Sequence, residues 1–133
     1  MSIDLSQLRD LAGFIGATVV DSDTGMVLAM DSHGRIDLEL AAAGNTEVVR
    51  AKRRTIASLN LRDEIEDILI SLKNQYHVIR LLKANDRVFL YVALDRKVAN
   101  LALARLAIQK VEEGIRSCID VFGAVARPGR EAP

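Results

Sequence analysis

Val88-Phe89-Leu90-Tyr91-Val92-Ala93-Leu94-Asp95 runs apolar from Val88 to Leu94 before it meets a charge. Successive side chains of a strand point to opposite faces, so this segment offers apolar surface on both and has to be covered on both. A helical layer on each side of a sheet is therefore expected. One layer follows directly: Leu101, Ala104, Ile108, Val111 and Ile115 recur at steps of 3, 4, 3, 4, opposite a polar stripe of Arg105, Gln109, Glu112 and Arg116. That spacing predicts an amphipathic helix over about residues 98–117.

Working back towards the N-terminus, Ala84-Asn85-Asp86-Arg87 and Lys73-Asn74-Gln75 are polar turns on either side of a strand from Tyr76 to Leu82. The alternation of Glu66, Ile68, Ile70 and Leu72 against Asp67, Leu69 and Ser71 predicts a third strand with an acidic start. Before it, Asp37 is placed to cap a helix that starts at Leu38 and runs to about Ala57. Phe14 to Val20 and Met26 to Met30 read as strands joined by the turn Asp21-Ser22-Asp23-Thr24-Gly25, a hairpin. Leu5, Leu8, Leu11 and Ala12 predict a short first helix over about residues 4–12. The element order is αββαβββα. Hairpin connections make the five-stranded sheet mostly antiparallel, and the fold class is α/β, an α/β/α sandwich.

The chain's 133 residues, 50% hydrophobic and 27% charged with 2 prolines, fit one domain with one core. Residues 1–117 are assigned to it, and residues 118–133 to a C-terminal extension that is partly disordered, since Arg127-Pro128-Gly129-Arg130-Glu131-Ala132-Pro133 has little to bury. Eighteen basic residues balance 18 acidic ones, so no global field favours nucleic acid or anionic lipid. There is no signal peptide and no long uncharged run, which predicts a cytoplasmic protein without membrane insertion. Cys118 is a lone cysteine and makes no internal bridge.

Catalytic and cofactor chemistry finds little to work with. Asp21-x-Asp23-x-Gly25 has Gly25 at the fifth position and Ser32 at the twelfth, where a calcium loop needs oxygen ligands, a carboxylate at the twelfth. His33, His77 and Cys118 are too few and too scattered for zinc, and no phosphate-binding glycine loop or nucleophile elbow is present. His77 shares a strand face with Ile79 and Leu81 and reads as a core or interface histidine; His33 reads as solvated. Asp63, Glu64, Glu66 and Asp67 form a solvated strand entrance. No catalytic residue, cofactor or metal site is assigned, and the protein is expected not to be an enzyme.

Two features of the second helix point to partners instead. Arg50, Lys52, Arg53 and Arg54 crowd its C-terminal half, where cations complement the helix dipole or form a local patch for an acidic protein surface. Ala41, Gly44, Val48, Ala51 and Thr55 form a stripe of small or β-branched residues. Glycine inside a helix costs about 1 kcal/mol relative to alanine, so close approach of another backbone is its motive. That backbone belongs either to the chain's own sheet or to the same helix of a second copy.

The sequence resembles the Roadblock/LC7 family over about residues 4–117. The resemblance lies in Gly13-Phe14-Ile15-Gly16-Ala17 running into Val19-Val20-Asp21-Ser22-Asp23-Thr24-Gly25, in Ile68-Leu69-Ile70, in Phe89-Leu90-Tyr91-Val92-Ala93-Leu94-Asp95-Arg96, and above all in Ala99-Asn100-Leu101-Ala102-Leu103-Ala104-Arg105. Ala102 stands where the family often has glycine. The resemblance implies a dimer, homomeric or with a paralogue, that joins third strands into one sheet and lays second helices side by side. Its interface would hold Ala41, Gly44, Val48, Ala51, Ile68 and Ile70. It further implies a non-enzymatic adaptor that regulates a Ras-like small GTPase, by activation or scaffolding; the basic patch read from the sequence then makes Arg50, Arg53 and Arg54 the expected partner-binding residues. A small-ligand sensory domain of α/β/α type is the alternative, since domains of this size can enclose a metabolite between sheet and helix.

Overall fold

Phe89, Tyr91 and Ala93 point to one side of the sheet, and Val88, Leu90, Val92 and Leu94 to the other, each set joining a separate buried cluster. The computed structural model describes residues 3–34, 36–83 and 85–126, the side chains as far as Ile115. Its elements are α1 (Ser6–Arg9), β1 (Phe14–Asp21), β2 (Met26–Ser32), α2 (Leu38–Ser58), β3 (Asp67–Ser71), β4 (Gln75–Leu81), β5 (Val88–Asp95) and α3 (Leu101–Ala126). The order αββαβββα and the α/β/α layering are those expected from the sequence. The boundary expected after Ser117 lies within the span of α3, and the tail from Arg127 lies outside the described residues.

The strands form one antiparallel sheet in the order β2-β1-β5-β4-β3, which puts the doubly apolar β5 at its centre. α2 carries the chain from the β2 edge to the β3 edge and packs on β1 and β2, burying Leu38, Ala42 and Val49 against Val20, Phe89 and Tyr91. α1 and α3 cover the opposite face, where Leu8, Ile108, Val111 and Ile115 meet Leu90 and Val92. Side-chain caps start α2 and α3, the first of them as the sequence indicates. Asp37 Oδ1 accepts from the Leu40 amide at 3.0 Å, and Asn100 Oδ1 from the Leu103 amide at 3.1 Å.

α1 is shorter than the periodicity suggests. Only Ser6–Arg9 is helical, because the chain must turn at Gly13 (φ 80°) to enter β1. A Cβ on Gly13 would lie 2.8 Å from the Asp95 carbonyl oxygen, so this corner requires glycine. The hairpin reading of residues 21–25 is borne out: Gly25 has φ 77° and donates to the Asp21 carbonyl at 2.7 Å.

Candidate interaction surface

α2 has two unlike sides. One is buried on the sheet through Leu38, Ala42, Thr46 and Val49; the other presents Gly44, Val48, Ala51 and Thr55 to solvent, with Ala41 half-buried at its margin. A Cβ added to Gly44 would meet nothing within 4 Å. The first explanation for this glycine, approach to the chain's own sheet, is thereby overturned: among the described residues no atom outside its own helix lies within 4 Å of that position. Leu40, at 70% exposure, stands out on the first turn of the same helix.

Ile68 and Ile70 lie on β3, the edge strand beyond β4. Ile68 joins the cluster under α2, and Leu69 joins the one under α3. Between α2 and β3 runs a groove of about 480 Å³ whose apolar lining is Val48, Ile56, Leu59, Leu61, Ile65 and Ile68. The fold thus brings Val48 of the stripe and Ile68 of the edge strand to one surface. The two edges of the sheet differ. The β1–β2 ladder shifts register between Val19 and Val20, and Arg9 forms an ion pair with Asp31 at 2.5 Å beside β2. The β3–β4 ladder is regular from Asp67↔Arg80 to Ser71↔Tyr76. Bulges and charges blunt an edge against pairing, so β3 is the better template.

The three arginines singled out in the sequence do not converge. Arg50 Nε donates to the Ser22 carbonyl at 2.9 Å and its Nη2 to the Asp23 carbonyl. Arg53 Nη1 donates to Ser22 Oγ at 3.2 Å and its Nη2 to the Asp86 carbonyl. Both tie α2 to the turns that end the β1–β2 and β4–β5 hairpins. Arg54 is exposed on the far side of the helix. Their shared signal in sequence is the i, i+3 spacing of Arg50 and Arg53, which puts both on the side facing two carbonyl-rich turns.

Two ion-pair groups escape sequence reading. Arg87 binds Asp21 at 2.9 Å and Asp23 at 3.7 Å, so the carboxylates of the hairpin turn are engaged by a guanidinium. On the α3 face, Arg80 Nε donates to Glu112 Oε1 at 2.8 Å, and Glu112 Oε2 accepts from the Lys83 amide at 3.1 Å. Asp67 completes this group, 3.7 Å from Arg80 and 3.9 Å from Arg105. Asp67 is therefore a half-buried partner of two arginines rather than part of a solvated entrance; Asp63, Glu64 and Glu66 are exposed as expected.

His77 is half-buried on β4. Its ring stands edge-on to Tyr91, with centroids 5.3 Å apart at 86°, and its Nε2 lies 2.8 Å from Gln75 Oε1. Burial lowers its pKa below the ordinary histidine value. Burial also pushes the Tyr91 hydroxyl up to about 12, against the opposing effect of a hydrogen bond with Asn45 of α2. Among the described residues no group of three or more His, Cys, Asp or Glu could hold a metal ion, and no helix is long and apolar enough to cross a membrane.

This architecture matches solved structures over most of its length. A Roadblock/LC7 domain from Streptomyces avermitilis superposes with a TM-score of 0.73 at 12% identity, covering 86% of this chain and 92% of that one. The chain has the Roadblock/LC7 fold. MglB from Myxococcus xanthus matches at TM-score 0.71 and 17% identity over 81% of this chain and 78% of its own. The gliding protein MglB from Thermus thermophilus matches at 0.69 and 16%, over 84% and 82%. No family model and no curated protein matches the sequence itself. Within the Roadblock/LC7 fold of this chain, the exposed stripe of α2 and the open edge at β3 are neighbours across one groove.

Proposed function

We propose that this protein is a non-enzymatic interaction subunit that dimerises through β3 and α2 and regulates a Ras-like small GTPase. The observation that carries the reading is Gly44. A glycine that costs helix stability, faces open space and sits in a small-residue stripe beside an unpaired, regular edge strand is what a close two-fold contact requires. Pairing β3 with its copy extends the sheet, and the two α2 helices then lie side by side over the groove. The GTPase as partner rests on the resemblance to the Roadblock/LC7 family, and its docking surface is the outward face of the paired helices, with Arg54 as an exposed cation on it. Arg50 and Arg53 contribute by fixing α2 rather than by touching the partner.

The sensory-domain alternative calls for a ligand between sheet and helix, where Val20, Val49, Phe89 and Tyr91 fill the space, each at most 1% exposed. The test is light scattering of the purified chain, expected to give twice the monomer mass, followed by capture of Ras-like GTPases from the native cell in their GTP and GDP forms. A monomer at micromolar concentration removes the dimer; a dimer that retains no GTPase in either form removes the partner.

A further inference from the structure

His77 occupies a place that the fold alone does not explain. It lies one strand in from the open β3 edge, on the face that carries α2, yet α2 is centred over β1 and β2 and leaves the ring half-buried. Further along the same face of β4, Ile79 and Leu81 are fully covered. A second copy of α2 laid beside the first would cover the rest. Val48 is seven positions from both Ala41 and Thr55, so a two-fold axis at Val48 makes the stripe self-complementary with the helices antiparallel. That arrangement brings Lys52 of the second copy to the Gly44–Asn45 segment, beside the Tyr91–His77 pair.

We infer that His77 makes the association of two copies of this chain sensitive to pH, the neutral imidazole being admitted to the contact and the protonated ring being excluded from it. The inference rests on the dimer proposed above. Burying a charge without a counter-ion is costly, and none of the elements packed around His77 supplies one. From β3 its neighbour in register is Ile70; Asp67 is engaged with Arg80 and Arg105 under α3, and the exposed Glu66, which lines the groove, sits opposite Leu81, four positions along β4 from His77. From β5 it meets Ala93 in register and the neutral Tyr91, while Asp95, opposite Gln75, accepts from the Lys97 amide. On α2, Asn45 is bonded to Tyr91, Glu47 pairs with Arg50 at 3.7 Å, and Lys52 is a cation. Lys52 of the second copy adds a like charge. Burial already lowers the pKa of His77 in one copy, and further covering lowers it again.

The sign follows by linkage. Association is fully favoured above the pKa of the free chain, which burial holds below the ordinary histidine value, and is lost as the pH falls through it. Two protons must leave per dimer on the acid side. The dimer dissociation constant, measured by sedimentation at about pH 7.5 and about pH 5.5, is expected to rise roughly tenfold or more on acidification. His77→Phe, which keeps an aromatic edge on Tyr91, should abolish that rise, and His77→Gln serves if the phenylalanine variant does not fold. His33→Gln, at an exposed loop, should leave the rise intact. A dimer whose affinity is the same at both pH values, or one whose acid weakening persists in the His77 variants, overturns the inference while leaving the dimer standing. A wild-type chain that is monomeric at about pH 7.5 overturns the dimer and this inference with it.

Discussion

Arg80 is nine-tenths removed from water, and its charge is met by Glu112 at 2.8 Å and, more distantly, by Asp67. Deleting one member of such a pair leaves the other charged and desolvated, so Glu112→Ala should lower unfolding stability by about 3 kcal/mol in urea titration, far more than loss of an exposed pair would. Asn100→Ala removes a single cap bond and should cost about 1 kcal/mol by the same measurement. The second effect is readable in sequence because cap and helix are three residues apart. The first is not, since Arg80 and Glu112 are separated by 32 positions and meet only once β4 and α3 are stacked. The arginines of α2 fall between these cases: their crowding is visible in the chain, but which two would find turn carbonyls depends on where the hairpin ends arrive.

At the scale of elements, α2 carries a contradiction that one copy of the chain does not resolve. In a monomer, Gly44→Ala adds a methyl to open space and a better helix former, and should raise monomer stability by about 0.5–1 kcal/mol. In the proposed dimer the same methyl separates the helices, so the dissociation constant should rise although the fold is firmer. Opposite signs from urea titration and sedimentation would mark Gly44 as a residue kept for contact. The edges of the sheet give a matching pair: Ile70→Lys on β3 should weaken self-association roughly tenfold or more, and Met30→Lys on the bulged β2 edge should change it by less than about twofold. The hairpin neighbours β1–β2 and β3–β4–β5 were accessible from turn signals, whereas the pairing of β1 with β5 that joins them into one sheet was not. The bulge at Val19/Val20, which lies in the β1–β2 ladder, and the shortening of α1 ahead of the Gly13 corner were not legible.

For the whole molecule, equal numbers of acids and bases mean that any electrostatic steering of a partner comes from how charges are distributed, not from their sum. Internal pairing removes several of them from that role. Arg50 and Arg53 are spent on the hairpin turns, Arg87 on Asp21 and Asp23, and Arg80 on Glu112, which leaves Lys52 and Arg54 as exposed cations of α2, with Leu40 exposed about four helical turns nearer its N-terminus. If a small GTPase docks there, Arg54→Glu should slow association several-fold at low ionic strength, with the difference shrinking as salt rises, since exposed charges are screened beyond about 8 Å under physiological conditions. Leu40→Asp should instead speed dissociation at every salt concentration, because an apolar anchor acts through burial. Arg53→Glu separates docking from folding: it should lower the melting temperature by breaking the tie to Ser22 and Asp86, and should affect partner binding only through that loss. Stopped-flow association and thermal melts of the three variants distinguish these outcomes. A partner whose on-rate is indifferent to Arg54 and whose off-rate is indifferent to Leu40 docks elsewhere on the molecule, and the outward face of α2 then has no part in recognising it.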